Sequence, residues 1–362
     1  MPLTSSWDRF FAALRIEEPD RVPVSDVDVD IGVLEGCIGR RLSSEGERAR
    51  ALAEIDFDMV VARHRLLGHG QHILGPRDHS WEPEWIDDAT YKGEWGEIRR
   101  MTPGMESPVD GIIRTADDLG DFDIPDPARE GRSGPVREAV RALGEETPVF
   151  ALVHDAFELP WMMRGSITRL VTDYHRQPRL ARKLARISTR FNIEMARILL
   201  DEGAAGILSG DDYAFSTGPF MNPEQFETFI YPYLRQLIRA VHKKGAPFIK
   251  HTDGMIWPVI GLILKAGPDV LNPIQSEAGM ELTRVKQAFG SRTALMGNVD
   301  CGPTLHFGSV RDVEREVSRC MSQGASGGGF ILSSSNTIYR GTRPENLLAM
   351  TRAAKRTGRH RP

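Results

Sequence analysis

The chain has 362 residues, is 40% hydrophobic and 27% charged, and carries a formal net charge of −4. That length fits one α/β barrel with insertions, and that balance excludes a basic face for nucleic acid or for an anionic membrane. Cys37, Cys301 and Cys320 are widely spaced, the N-terminal stretch has acidic residues where a signal peptide needs an apolar core, and no apolar run reaches bilayer length. The expectation is a reduced, cytoplasmic protein.

Residues 6–15 put Trp7, Phe10, Phe11 and Leu14 on one helical face. A short strand over 22–25, a helix over 44–55 and a strand over 58–62 follow. Residues 64–128 then lose regular periodicity and are rich in Trp, Pro, Gly and His, with a hairpin expected over 91–101. Long irregular stretches in compact domains are usually functional, so this one is read as an excursion over a barrel mouth. His64, His69, His72 and His79 fall here, at spacings that match no metal pattern.

From about residue 134 helices and strands alternate: helix 137–143, strand 148–154, two helices over 167–200 broken near Gln177 and Pro178, and strand 205–209. Asn222, Pro223 and Gln225 give the capping signature of a long helix that Gly245 ends. Helices over 257–266, 282–289, 310–323 and 342–356 come next, the last two opened by the pairs Ser309/Asp312 and Thr342/Glu345. Between them lie apolar runs that end in polar residues: 247–254 (PFIKHTDG), 269–277 (DVLNPIQSE), 293–300 (TALMGNVD) and 328–336 (GGFILSSSN). The rhythm predicts a (β/α)8 TIM barrel spanning residues 1–362 as a single domain, with an N-terminal extension and the excursion as its irregular insertion.

In such a barrel, residues at strand C-termini converge on one face, so the polar ends name the candidate site. His251 and Asp253 are two apart on an extended segment and share a face. They suit acid–base work or a metal ion. Asp211 and Asp212 are adjacent, so one faces the pocket while the other braces. Asp211 joins His251 and Asp253 as a catalytic candidate. His154, Asp155, Asp212, Asn272, Gln275, Glu277, Asn298, Asp300, Ser335 and Asn336 are candidate substrate contacts. No GxSxG elbow and no GxxxxGK[ST] loop is present.

The runs DRFFAALRIEEPDRVPV, MNPEQFETFIYPYLRQLI, IKHTDG, AGMELTRVKQAFGSRTALMGNVD and GGFILSSSNTIYRGTRPENLLAM resemble the uroporphyrinogen decarboxylase superfamily nearly end to end. The resemblance implies a (β/α)8 barrel with its site at the strand C-termini. It covers porphyrinogen decarboxylases and methyltransferases that exchange methyl groups with corrinoid proteins. True decarboxylases carry an arginine-bearing N-terminal segment. Here it reads PVSDVDVDIGVLEGCIG, whose acidic residues would repel a polycarboxylate. Zinc-dependent, thiol-directed relatives have His-x-Cys and a second Cys; here His251-Thr252-Asp253 and Asn336 stand there. A thiolate site is not expected, while a harder His/Asp/Glu site for zinc or another divalent ion stays open.

The SSSN…PEN pattern is similar to O-demethylase-type methyltransferases. This implies transfer of a methyl group from a methoxylated, for instance aromatic, substrate to a corrinoid on a separate protein. The alternatives are decarboxylation of a uroporphyrinogen-like or smaller acid, with Arg164, Lys250 or Arg340 as clamp, and a non-catalytic small-molecule-binding barrel. The resemblance is also compatible with a homodimer.

Overall fold

In a computed structural model of the chain, residues 5–66, 74, 81–102 and 105–358 are described. His69, His72 and His79 lie outside them. Seven strands form one parallel sheet in chain order: β1 (Val60–Arg63), β2 (Val149–Val153), β3 (Gly206–Ser209), β4 (Phe248–His251), β5 (Val270–Asn272), β6 (Ala294–Val299) and β7 (Phe330–Ser334). Parallel neighbours need long crossovers, and helices supply them. Residues 22–25 hold the two edges together. Leu332 N donates to Pro23 O (2.9 Å), Ser25 N to Leu332 O (3.0 Å), and Asp58 N to Val24 O (2.7 Å). The sheet is thereby curled into a barrel-like α/β fold.

Strand alternation sorts side chains into two separate cores. Val61, Phe150, Leu152, Leu208, Ile249, Val270, Ala294, Met296 and Ile331 pack together inside the curl. Phe10 and Ala13 of the helix Ser6–Leu14 join them, Phe10 edge-on to Phe150 at 5.4 Å. The intervening residues, such as Val60, Ala151, Ile207, Phe248, Leu271 and Leu332, pack instead with the helices around the sheet.

The predicted crossovers recur with adjustments. Ile167–Arg176 and Pro178–Asp201 are two helices that meet at Gln177. The Asn222/Gln225 and Ser309/Asp312 capping boxes are both formed. The helix after Asn222 is shorter than expected, because Pro232 takes the first turn of a new helix: Pro223–Phe229 is followed by Tyr231–His242. The Thr342/Glu345 pair does not cap, since Glu345 pairs with Arg343 and the helix runs Pro344–Thr357. Helices Ile31–Ile38 and Glu158–Arg164 were not anticipated.

The excursion is more regular than its sequence. Thr90–Lys92 and Glu97–Thr102 form the expected hairpin, and Glu84–Trp85 and Met105–Gly111 extend it to a four-stranded antiparallel sheet. It is pinned to the helix Glu158–Arg164, where the Arg164 guanidinium donates to Ile113 O and Arg114 O and pairs with Asp173 (2.6 Å). Arg132, fully buried, bonds both oxygens of Glu94 (2.8 Å each) and Arg65 O (2.9 Å). Among the described residues, no helix is long and apolar enough to cross a membrane.

Candidate functional site

Two residues beyond inward Val61, Leu152, Leu208, Ile249, Val270 and Ile331, the alternation places Arg63, His154, Gly210, His251, Asn272 and Ser333 at the C-terminal mouth of the curl. A hydrogen-bond chain fixes part of this row. Asn272 Nδ2 donates to Met296 O (3.1 Å) and Ser333 Oγ (3.2 Å), so its oxygen is the atom left for His251. His251 Nδ1 lies 2.5 Å from that oxygen and must carry the proton, because an amide oxygen only accepts. Nε2 is therefore left as the lone-pair nitrogen, 3.7 Å from Asp212 Oδ1. Burial lowers the His251 pKa, outweighing Asp212, which raises it. A neutral imidazole with a fixed tautomer is the result.

Asp212 lies beside this nitrogen, and the Asp253 carboxyl lies against Asp212. Asp253 N donates to Asp212 Oδ1 (3.1 Å), and Asn336 Nδ2 donates to Asp253 Oδ2. Burial, then the charge of Asp212, push the Asp253 pKa up to about 7. Two close carboxylates resist ionising together, so the pair holds a proton near neutrality. Asp212 is the more open partner, with its side chain 42% exposed.

Asp211 turns the other way. Its Oδ2 accepts from Phe157 N (2.9 Å) and Glu158 N (2.8 Å), opening the helix Glu158–Arg164, while Oδ1 lies 3.0 Å from His154 Nδ1. Glu158 Oε2 is 3.6 Å from the same nitrogen. Burial opposes charge on His154, but Glu158 and Asp211 outweigh it and push its pKa up to about 10. The Asp211 pKa falls despite its burial, because His154 stabilises the carboxylate.

Asp155 and Asn298 are not brought to the mouth. Asp155 occupies an outward position. Its Oδ2 accepts from Ser209 Oγ (2.6 Å), Tyr213 OH (2.5 Å) and Lys250 Nζ (2.8 Å), all buried between sheet and helices. Lys250 Nζ also reaches Asp211 O (2.8 Å) and lies 4.2 Å from the Tyr213 ring centre. Lys250 and Arg164 are thus both occupied in buried ion pairs, and Arg340 is exposed, so these three do not form a cationic clamp in the mouth. The Asn298 amide bonds Ile274 O (2.9 Å) and Arg319 (3.1 Å) of the surrounding helix Val310–Gly324.

The remaining candidates shape the loops of the rim. Gln275 Oε1 accepts from Gly254 N (2.7 Å), which ties the loop after β5 to the one carrying Asp253. Ser335 Oγ donates to Glu277 (2.7 Å) and accepts from Cys301 N (3.1 Å), and Asp300 Oδ1 accepts from Thr304 N (2.9 Å).

The N-terminal acids are also accounted for. Asp26 accepts from Ser334 N (2.9 Å), Asp28 pairs with Arg63 (3.0 Å) and Arg48 (3.1 Å), and Asp30 caps the helix Ile31–Ile38. The expected repulsive strip is thus partly neutralised by two arginines. Arg63, Glu158 and Cys301 were missed by sequence reasoning. Arg63 was legible, standing two residues past inward Val61. Glu158 sits on a helix whose seven residues are too few for a clear period. Cys301 lies 3.8 Å from Glu277 Oε1, and burial raises its thiol pKa to about 11, so it is a protonated thiol at neutral pH.

Imidazole with carboxylates can hold a divalent ion. Among the described residues, no third His, Cys, Asp or Glu completes a compact ligand set with His251 and Asp253. The residues there do not fit a metal centre as they stand. The family model described as uroporphyrinogen decarboxylase (URO-D) matches residues 100–357. The chain belongs to the URO-D family. A uroporphyrinogen decarboxylase of Trichlorobacter lovleyi is 26% identical over 260 residues, 68% of this chain and 71% of its own length. One from Geobacter metallireducens is 26% identical over 168 residues, 46% of each chain. A solved methyltransferase from Methanosarcina mazei superposes over 97% of this chain and 98% of its own, with a TM-score of 0.74 at 20% identity. At that identity the likeness speaks for the URO-D fold alone.

Proposed function

We propose that this URO-D family chain, as a single (β/α)8 domain, is a methyltransferase that moves a methyl group from a methoxylated substrate to a corrinoid carried by a separate protein. The observation that carries this reading is the Asp212–Asp253 pair beside the fixed lone pair of His251. Breaking an ether C–O bond requires a proton for the departing oxygen, and an acid near neutrality is suited to give it. The shared proton of Asp212 and Asp253 is that acid. His251, neutral and with Nε2 open, accepts a hydrogen bond from the hydroxyl so formed, which leaves as the free phenol, and the carboxylate pair regains its proton from solvent. A corrinoid carrier would supply the nucleophile that takes the methyl group.

The rim is consistent with a docked carrier. Phe215, Phe307 and Tyr339 stand 61%, 76% and 39% exposed on loops after β3, β6 and β7. Exposed large apolar side chains gathered at one face mark an interaction surface.

Decarboxylation is the second reading, favoured by the names of the curated relatives. Carboxylates of Glu158, Asp212 and Asp253 on the mouth side oppose a polycarboxylic substrate, and Arg63 is already paired with Asp28. A non-catalytic binder is disfavoured by the shifted, mutually bonded groups of the mouth. The test is incubation with methoxylated aromatics and a reduced corrinoid carrier. The expected result is the spectrum of the methylated corrinoid together with the free phenol. No methyl transfer, with CO2 released from an acid, overturns the proposal in favour of the second reading.

A further inference from the structure

The sequence pattern put a metal at His251 and Asp253, yet among the described residues no third ligand completes a compact set there. A compact set stands elsewhere on the same mouth. The ligand atoms of His154, Glu158 and Asp211 all lie within 4.8 Å of one another. His154 Nδ1 is 3.0 Å from Asp211 Oδ1 and 3.6 Å from Glu158 Oε2. Bonds of about 2.0–2.2 Å to a tetrahedral ion place its ligands roughly 3.3–3.6 Å apart. The His154–Glu158 spacing already falls in that range, while the His154–Asp211 contact is a shorter hydrogen bond that an ion would open slightly.

The supports of the set also match what metal ligands require. Asp211 is held through its second oxygen by Phe157 N and Glu158 N, which leaves Oδ1 directed at His154. The His154 backbone is fixed in turn by Asn192 Oδ1 (3.0 Å). Oriented ligands of this kind lower the cost of forming a site. Asp211 and His154 are buried, whereas Glu158 keeps 18% of its side chain exposed, so solvent has a path to the remaining positions.

We infer that His154, Glu158 and Asp211 form a binding site for a divalent first-row metal ion, on the β2–β3 side of the mouth rather than at β4. One imidazole and two carboxylates make a nitrogen–oxygen set suited to zinc, manganese or iron(II), with no thiolate to favour softer ions. Binding displaces the Nδ1 proton of His154 to solvent, and the two carboxylates balance the charge of the ion. Solvent or a substrate oxygen completes the shell. The site stands whether or not the methyltransferase reading holds, because its test reads metal and not turnover.

The probe is Co2+ added to the chelator-treated full-length protein, followed by calorimetry and by visible absorption. The expected result is one equivalent bound, with ligand-field bands of an N/O site and no sulfur charge-transfer band. Glu158→Gln should weaken binding by more than about tenfold, since loss of a ligand exceeds the roughly 10–100-fold cost of losing a ligand's support. Asp211→Asn keeps an oxygen for the backbone amides and should give the same loss, while Asp253→Asn should leave stoichiometry and affinity unchanged. Failure of the wild type to bind Co2+ below millimolar concentration overturns the inference. So does binding that survives both Glu158→Gln and Asp211→Asn, or binding lost in Asp253→Asn, which places the ion beside His251.

Discussion

Lys250 and His251 are neighbours in the chain but belong to different parts of the molecule. Lys250 points out of the curl into a sealed cluster with Asp155, Ser209 and Tyr213. His251 points into the mouth, with one nitrogen fixed and the other open toward Asp212. The same division separates His154 from Asp155. One cluster has its polar atoms turned on one another and holds the barrel wall together. The other keeps a lone pair and a shared proton unspent. Polarity at a strand end therefore does not identify chemistry until the facing of each residue is known.

The largest effect that tests this contrast is on stability. Lys250→Met leaves the Asp155 carboxylate buried without its cation, and breaking a buried pair from one side costs about 3–5 kcal/mol. Chemical denaturation should show that loss, while the fraction that folds still turns over. A wild-type midpoint would dissolve the distinction between wall and mouth. Asn272→Leu comes next. It removes the acceptor that fixes the His251 tautomer, so turnover should fall while the unfolding midpoint moves less than in Lys250→Met. Unchanged turnover would show that the tautomer does not matter.

The smallest effect is one of pH. The acid form of the Asp212–Asp253 pair is needed, and the Asp253 pKa stands at about 7, so the rate of methyl transfer should decline as pH rises through that value. Asp212→Asn removes a charge that holds this pKa up. The declining limb should then move to lower pH. A limb that stays in place, or moves upward, contradicts the assignment of the acid.

Much of the frame was readable in the chain because apolar periodicity, capping residues and glycine stops are local signals. Both capping boxes and the break at Gln177 came from a few adjacent residues. The URO-D family was legible from extended motifs. The excursion was not, because antiparallel pairing among short strands leaves no long period. The mouth was half legible. His251, Asp253, Asp212, Asn272 and Asn336 do converge, whereas Asp155 and Asn298 face away. Asp155 follows from the alternation after Val153, had it been counted from the inward Leu152. Asn298 does not, since alternation after Met296 points it inward, while its amide is taken by the helix that carries Arg319. Glu158 could be found only once Asp211 was seen to open its helix.

We propose that the His251 side of these strand ends carries the reaction. The most direct test is the rate at which His251→Ala demethylates a methoxylated aromatic in the presence of a reduced corrinoid carrier, beside wild type. A fall of roughly 10²–10⁴-fold is expected, the usual worth of a positioned acid–base group, with the unfolding midpoint preserved. Wild-type turnover by the folded variant would contradict it.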